Sequence, residues 1–169
     1  MTGKEFEDIV ARVCRAYRDK GTASIGRYGV QAIRTSPTDI VTIRSLPDFE
    51  GLVSGSGTQY IFDCKVCSQA SFDLSAFRDK KKRQLDHMIE RSRYGATCAF
   101  LIHWNARKLK TKHESLETWW FPVYWHSKFW DAFEHGEVRR ITRADCYEYG
   151  KEVDWQKNKP NLIKLFNSI

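Results

Sequence analysis

The chain has 169 residues, which is enough for one domain with a sizeable core and too few for two ordinary ones. Its content of 41% hydrophobic and 29% charged residues excludes a disordered chain, and no apolar run approaches the about 20 residues that cross a bilayer. The 28 lysines and arginines exceed the 21 acidic residues, and the net charge of +7 favours a polyanionic partner such as nucleic acid.

The first predicted element is a helix over residues 4–18. Its apolar residues recur at the spacing of one helix face: Phe6, Ile9, Val10, Val13, Cys14 and Tyr17. Thr2 or Gly3 can cap its start, and Gly21 follows its end. Residues 22–46 are predicted to be extended with turns, including a β-prone run at 39–43.

Two strands joined by a Ser-Gly-Ser-Gly turn are predicted next, at residues 48–53 and 58–66. Residues 75–94 predict a second helix that ends at Gly95. Two more strands follow at 96–104 and 118–125, then a short helix near 127–134 and an irregular tail. This order predicts an α/β protein with one domain over residues 1–169, in which a central mixed β-sheet is flanked by helices.

The five cysteines are odd in number and lie within or beside apolar stretches. Cys64 and Cys67 form a Cys-x-x-Cys pair, but no second pair follows to complete four zinc ligands. We therefore expect reduced thiols rather than a disulfide framework. Because the N-terminal segment is too acidic for a signal peptide, we also expect a cytoplasmic protein without a membrane partner.

The residues that indicate chemistry are Asp48, Asp63 and Lys65. Side chains alternate across a strand, so Asp63 and Lys65 project from the same face, and Asp48 can join them from the neighbouring strand. Two carboxylates and a backbone carbonyl, for which Cys64 is the natural candidate, make a hard oxygen site for Mg²⁺ or Mn²⁺. A metal-bound water positioned with help from Lys65 can attack a phosphodiester bond. The alternative is an ordinary surface pair of Asp63 and Lys65.

A basic run follows the second of these strands, and it consists of Lys80, Lys81, Lys82 and Arg83. Beside a phosphodiesterase site this run is expected to follow the DNA backbone, although a solvated helix face is the common alternative. Three arginines lie among the turns of the extended region: Arg27, Arg34 and Arg44. They either enter a DNA groove or lie on the surface.

Aromatic residues are dense toward the C-terminal end. They are Trp119, Trp120, Phe121, Tyr124, Trp125, Phe129, Trp130 and Phe133. At strand and helix spacing, such residues favour core and dimer contacts over a platform for stacked bases.

The Pro-Asp at 47–48 with Asp63-x-Lys65 resembles the PD-(D/E)xK nuclease superfamily, and the surrounding segments resemble its RecU-type Holliday junction resolvases. The similar segments are Gly3-x-x-Phe6-Glu7, Asp48-Phe49-x-Gly51, Phe62-Asp63-x-Lys65, Ser71-Phe72-x-Leu74-x-x-Phe77, Gln84-Leu85-x-His87-Met88 and the strand at 96–102. The resemblance spans roughly residues 3–104 and loosens beyond them.

The resemblance implies a restriction-endonuclease-like core, with Asp48 and Asp63 as metal ligands and Lys65 as the lysine that positions water. It also implies that Glu7 is a helix carboxylate near the metal and that Gln84 points at the site from the second helix. The implied enzyme is a Mg²⁺-dependent endodeoxyribonuclease that resolves four-way junctions by paired nicks. It acts as a homodimer and uses no small-molecule cofactor.

Three features depart from the family pattern. Asp63 stands where Glu is commoner, and Arg83 stands where the family often has His. The stretch before Asp48 is shorter than the one that forms the family's junction-engaging stalk. Two alternatives therefore stay open: a nuclease for other branched or linear duplex DNA, and a catalytically inert DNA-binding protein on a nuclease scaffold. The intact Asp48, Asp63 and Lys65 argue against the second.

Overall fold

The computed structural model describes residues 1–28, 31–34, 40–43, 46–108 and 113–169, and it describes side chains over 1–28, 46–107 and 114–169. The helices are α1 Gly3–Asp19, α2 Lys82–Arg93, α3 Lys128–Glu134, α4 Arg143–Tyr149 and α5 Leu162–Phe166, with a 3₁₀ turn at Ser75–Arg78. The strands are β1 Ala23–Arg27, β2 Gln31–Arg34, β3 Ile40–Ile43, β4 Phe49–Val53, β5 Gln59–Cys67, β6 Ser71–Asp73, β7 Thr97–Trp104, β8 Arg107–Lys108, β9 His113–Glu114, β10 Glu117–Pro122, β11 Arg140–Thr142, β12 Lys151–Glu152, β13 Trp155–Gln156 and β14 Lys159–Pro160.

Six strands form the central sheet in the order β1-β4-β5-β7-β10-β12. The strands β5 and β7 pair in parallel, and the other neighbours in the sheet are antiparallel. Parallel neighbours need a crossover connection, which here runs through β6, the 3₁₀ turn and α2. The predicted mixed sheet is thus confirmed.

Helix α1 covers one face of the sheet. Its start is fixed by a capping box, in which the Thr2 side chain accepts from the Glu5 N–H and the Glu5 side chain accepts from the Thr2 N–H. Its buried residues pack with inward residues of β1, β4 and β5, and α5 completes the layer. The Tyr17 hydroxyl accepts from the Ile163 N–H at 3.2 Å and so ties α1 to α5.

The opposite face is covered by α2, the 3₁₀ turn, α3 and α4. Phe100 of β7 lies at its centre, with its ring 5.0 Å from that of Phe77 and 5.7 Å from that of Trp130. Helices therefore flank both faces of the sheet, and the predicted α/β class is confirmed.

The predicted helix over residues 75–94 is wrong in its first third. The chain makes the 3₁₀ turn at Ser75–Arg78, breaks at Asp79 with φ −133° and ψ −95°, and starts α2 only at Lys82. The break follows from packing, because the buried Phe77 fixes the turn against Phe100. Lys80 and Lys81 consequently precede the helix rather than begin it.

Two further predictions need correction. The strand that was predicted to reach residue 125 ends at Pro122. The proline nitrogen carries no hydrogen and cannot donate a hydrogen bond to a neighbouring strand. The tail is not irregular, since it contains β11 to β14 with α4 and α5. Helix α4 starts with a second capping box, between Thr142 and Asp145.

Most of the aromatic cluster is core, as expected: Trp119, Trp120, Phe121, Phe129, Trp130 and Phe133 are buried, whereas Trp125 is 55% exposed. The five cysteines are free and buried. Among the described residues, no helix has the length and apolar character to cross a membrane.

Candidate active site

The β4–β5 hairpin brings the predicted acidic residues together. Phe49 pairs with Phe62, and this register sets Asp48 beside the middle of β5. There the Cys64 N–H donates to Asp48 Oδ2 at 2.8 Å. Gly51 permits this arrangement, because a Cβ at that position would lie 2.0 Å from the Ser24 carbonyl oxygen of the adjacent β1.

Asp63 is the buried carboxylate of the site, with 1% of its surface exposed. Lys65, two residues along the same strand, forms an ion pair with Oδ2 of Asp63. Gln84, buried in the first turn of α2, donates from Nε2 to Oδ1 of Asp63 and also to the Leu46 carbonyl at 3.3 Å. Side chains of two elements, β5 and α2, thus fix this one carboxylate.

Glu7 of α1 interacts electrostatically with Asp48 and Lys65. Burial raises the pKa of Glu7, the Asp48 carboxylate raises it further, and the Arg27 guanidinium lowers it. Arg27 forms an ion pair with Glu7 and a second one with Asp8, where Nη1 and Oδ1 are 3.2 Å apart. Carboxylates from α1 and from the start of β4 therefore lie close enough to repel each other, which suits a site that receives a cation.

Lys65 is the cation in the centre of the site. Burial lowers the pKa of Lys65 to about 8, with the charge of Lys81 also lowering it and the carboxylates of Asp48 and Glu7 opposing the change. Both lysines lie near the ring of Phe77, whose centroid is 5.8 Å from Lys65 Nζ and 5.7 Å from Lys81 Nζ. The basic run therefore reaches the site through Lys81.

The donor set fits a hard divalent ion. In the described part of the chain, no three His, Cys, Asp or Glu side chains converge as a metal cage. Mg²⁺ does not need such a cage, since it binds one or two carboxylates and keeps several waters. The thiol of Cys64 lies in the core beneath α1, and burial together with the nearby Asp48 carboxylate raises its pKa well above the usual range.

The predicted DNA-contacting residues divide into two groups. Lys80, Lys81, Lys82 and Arg83 are exposed around the start of α2. Arg27 lies beside Glu7, held by two carboxylates, so it is part of the wall of the site rather than a free arginine. The side chains of Arg34 and Arg44 lie outside the described residues.

A polar chain beside the site was missed from the sequence. The Tyr28 hydroxyl and the Gln59 amide both donate to Glu50, and Arg91 donates to Gln59. Burial and, to a smaller extent, the hydrogen bond to Glu50 together raise the pKa of Tyr28 to about 12. The alternation of β4, which puts Glu50 on one face and Phe49 on the other, was the available signal.

Comparisons with known proteins found a matching family model and similar solved structures. The family model described as RecU, Recombination protein U, matches residues 1–168. Among solved structures, the chain is similar to Archaeoglobus fulgidus Hjc, a Holliday junction resolvase from an archaeal hyperthermophile, with 15% identity, a TM-score of 0.47 and coverage of 89% of this chain and 95% of that one. A search of curated proteins found none that matches.

Proposed function

The chain belongs to the RecU family of Holliday junction resolvases, whose nucleases depend on a divalent metal, and from that premise we propose which of its residues cut DNA. We assign Asp48 and Asp63 as the ligands of a Mg²⁺ ion and Lys65 as the residue that acts on the attacking water. The observation that carries this assignment is the convergence of Asp48, Asp63, Lys65 and Gln84 at the middle of β5.

The ion, when bound, supplies Lewis-acid stabilisation of the charge that develops on the phosphate. The chain's own residues prepare its place. The Cys64 N–H holds Asp48 through Oδ2, and Gln84 holds Asp63 through Oδ1. These bonds fix both carboxylates before any ligand arrives, which lowers the reorganisation needed at the moment of reaction.

Lys65 has two tasks in this proposal. Its Nζ, in contact with Asp63, orients the attacking water beside the scissile phosphate. As an ammonium it also stabilises negative charge on the phosphate oxygens. Glu7 interacts electrostatically with Asp48 and Lys65, and we assign it to hold a further water. The ion pair with Arg27 keeps the Glu7 carboxylate oriented.

The substrate in this proposal is branched DNA, and the whole chain over 1–169 serves as one nuclease domain. The exposed Lys80, Lys81, Lys82 and Arg83 bind phosphates of the DNA backbone next to the site. Two nicks on opposite strands need two sites related by a two-fold axis, so the active form is a homodimer. Its place of action is the cytoplasm, where it meets the DNA.

The test is a cleavage assay with a four-way junction and a linear duplex of the same sequence, each with Mg²⁺ and with excess chelator. We expect paired nicks in the junction with Mg²⁺, little cleavage of the duplex, and none of either DNA in chelator. Asp86→Asn, which removes an exposed carboxylate from α2, is the matched control for site variants. Cleavage in chelator would contradict the dependence on a divalent metal. Equal cleavage of the duplex and the junction would contradict the preference for four-way junctions.

A further inference from the structure

Four exposed residues of α1 carry opposite charges in the two halves of the helix. Glu5 and Asp8 lie in the first half of this 17-residue helix, and Arg12 and Arg15 lie in the second; all of them are exposed. At 100° per residue these side chains fall within about 80° of the helix circumference, opposite the buried side. We call these four residues the α1 charge stripe.

The stripe borders a shallow depression rather than a flat surface. The depression has a volume of about 860 Å³ and is lined by Met1, Glu5, Asp8, Ile9, Ala11, Arg12, Arg15 and Arg27. Ile9 and Ala11 lie near the middle of the helix, with the acidic residues of the stripe before them in the chain and its arginines after them. Asp8 is half exposed even though Arg27 approaches its Oδ1.

The charges are arranged symmetrically about Val10. Glu5 and Arg15 are equally far from Val10 along the helix, and so are Asp8 and Arg12. When two copies of α1 lie antiparallel about a two-fold axis at the level of Val10, Glu5 faces the partner's Arg15 and Asp8 faces the partner's Arg12. The axis repeats each pair on the other side, as an isologous interface requires.

We propose that the α1 charge stripe is a surface on which a second copy of this chain docks. A second copy matches both halves of the stripe, whereas DNA would be repelled by Glu5 and Asp8. The inference rests on the homodimer of the proposed function and specifies where its protomers meet.

The arrangement also suits paired cleavage. Glu7 lies on the flank of the same helix, next to Asp48 and Lys65. In this dimer the two-fold axis runs perpendicular to both helices and passes between them. Such an axis leaves the position of an atom along the axis unchanged, so a residue and its symmetry copy lie on the same side of the helix pair. Both copies of Glu7 then lie on one side of the interface, so the two active sites face one junction together.

The test reverses the charges of one half at a time and measures molar mass by light scattering at micromolar concentration. Arg12→Glu with Arg15→Glu makes the stripe wholly acidic, and Glu5→Arg with Asp8→Arg makes it wholly basic. We expect the dimer dissociation constant of each variant to rise by about a hundredfold, because every cross-pair becomes repulsive. An equimolar mixture of the two variants should form the dimer again.

The control is Arg18→Glu with Lys20→Glu, which makes the same charge change at the C-terminal end of α1, outside the stripe, and should leave the dimer intact. Dimers that survive in both stripe variants would overturn the inference while leaving the proposed function standing. A wild-type monomer would overturn both the inference and the homodimer.

The mixing experiment also separates a lost interface from a lost fold. Circular dichroism verifies that each variant is folded, and recovery of the dimer on mixing requires that both are. A mixture of folded variants that stays monomeric would overturn the inference. The variant with all four stripe charges exchanged restores complementarity and should be dimeric alone, so a folded monomer in that case would also overturn it.

Discussion

Asp63 is a carboxylate held almost out of contact with water, a position that costs free energy unless charge and hydrogen bonds compensate. Lys65 supplies the charge and Gln84 supplies the hydrogen bond. A buried ion pair of this kind is weak support for stability in itself. Its position at the junction of β5 and α2 is better explained by the chemistry that we propose for the pair.

We predict that Asp63→Asn abolishes cleavage of a four-way junction while the affinity for that junction stays within about twofold of wild type. Asparagine keeps the shape of the side chain but removes the charge that holds the cation, whereas phosphate contacts come from other residues. Single-turnover cleavage and an equilibrium binding assay in chelator measure the two quantities. Asp86→Asn should change neither of them, and residual Mg²⁺-dependent cleavage by Asp63→Asn would remove Asp63 from the ligand set.

We predict that Lys65→Ala lowers the single-turnover rate by roughly a hundredfold to ten-thousandfold without changing the Mg²⁺ concentration for half-maximal activity more than about threefold. A lysine cannot bind a cation, so its loss affects the water and the charge on the phosphate rather than the occupancy of the metal. The measurement is a Mg²⁺ titration of the cleavage rate. Lys164→Ala, at an exposed surface lysine, is the control. A normal rate would mean that Lys65 only neutralises Asp63.

Strand alternation and the hairpin turn, which are local features of the sequence, predicted the relative positions of Asp48, Asp63 and Lys65. The period of a strand places Asp63 and Lys65 on one face, and the hairpin turn brings Asp48 alongside. The contact of Gln84 with Asp63 was expected only through the family resemblance, because the docking of α2 onto the sheet depends on the whole core. Arg27 could not be assigned to Glu7 for the same reason, since the pairing of β1 sets its position.

At the scale of elements, the break between the 3₁₀ turn and α2 shapes the surface that we propose to bind DNA. Residues 79–83 have ordinary helix propensities, so local sequence gave no sign of an interruption there. The interruption arises from Phe77, whose packing against Phe100 is a long-range contact. The missed α4 is different, because its capping box of Thr142 and Asp145 is a recognisable local signal.

We predict that changing Lys80, Lys81 and Lys82 together to Gln weakens binding to a four-way junction and to a linear duplex about equally. The slope of log K against log salt concentration should fall by roughly 2 to 3 units, because each lysine on a phosphate releases condensed counterions. Binding isotherms at several salt concentrations give the slope for both DNAs.

The matched control removes the same charge elsewhere, with Lys157, Lys159 and Lys164 changed to Gln. Its salt slope should stay near that of wild type. Loss of junction binding alone would indicate that the start of α2 recognises branched shape. Unchanged binding to both DNAs would exclude this surface from the DNA path.

At the scale of the whole molecule, His103 joins elements that lie far apart in the sequence. It is fully buried on β7, with its ring 5.1 Å from that of Phe6 in α1 and 5.3 Å from that of Trp155 in β13. Its Nδ1 lies 2.8 Å from the Thr118 hydroxyl oxygen, which also accepts from Trp155 Nε1 at 2.7 Å. Protonation of this ring would therefore act on the stability of the entire fold.

Burial lowers the pKa of His103 from 6.5, the N-terminal ammonium makes a smaller contribution in the same direction, and together they bring it to about 4. Between these two pH values the unfolded chain binds a proton that the folded chain does not, so the stability due to this group falls as the pH falls from about 6.5 toward 4. The loss is of the order of 3 kcal/mol when complete. This loss is small at pH 7, where His103 is mostly neutral in the unfolded chain and neutral in the folded one.

We predict that the free energy of unfolding of the wild type, measured by denaturant titration, drops by about 2 kcal/mol between pH 7 and pH 5 because of this residue. His103→Gln can keep a hydrogen bond to Thr118 but does not titrate, so its stability should change less over that interval, although it starts lower at pH 7. His126→Gln, at an exposed histidine, should follow the wild-type curve. Parallel curves for the wild type and His103→Gln would assign the acid sensitivity of the fold to other groups.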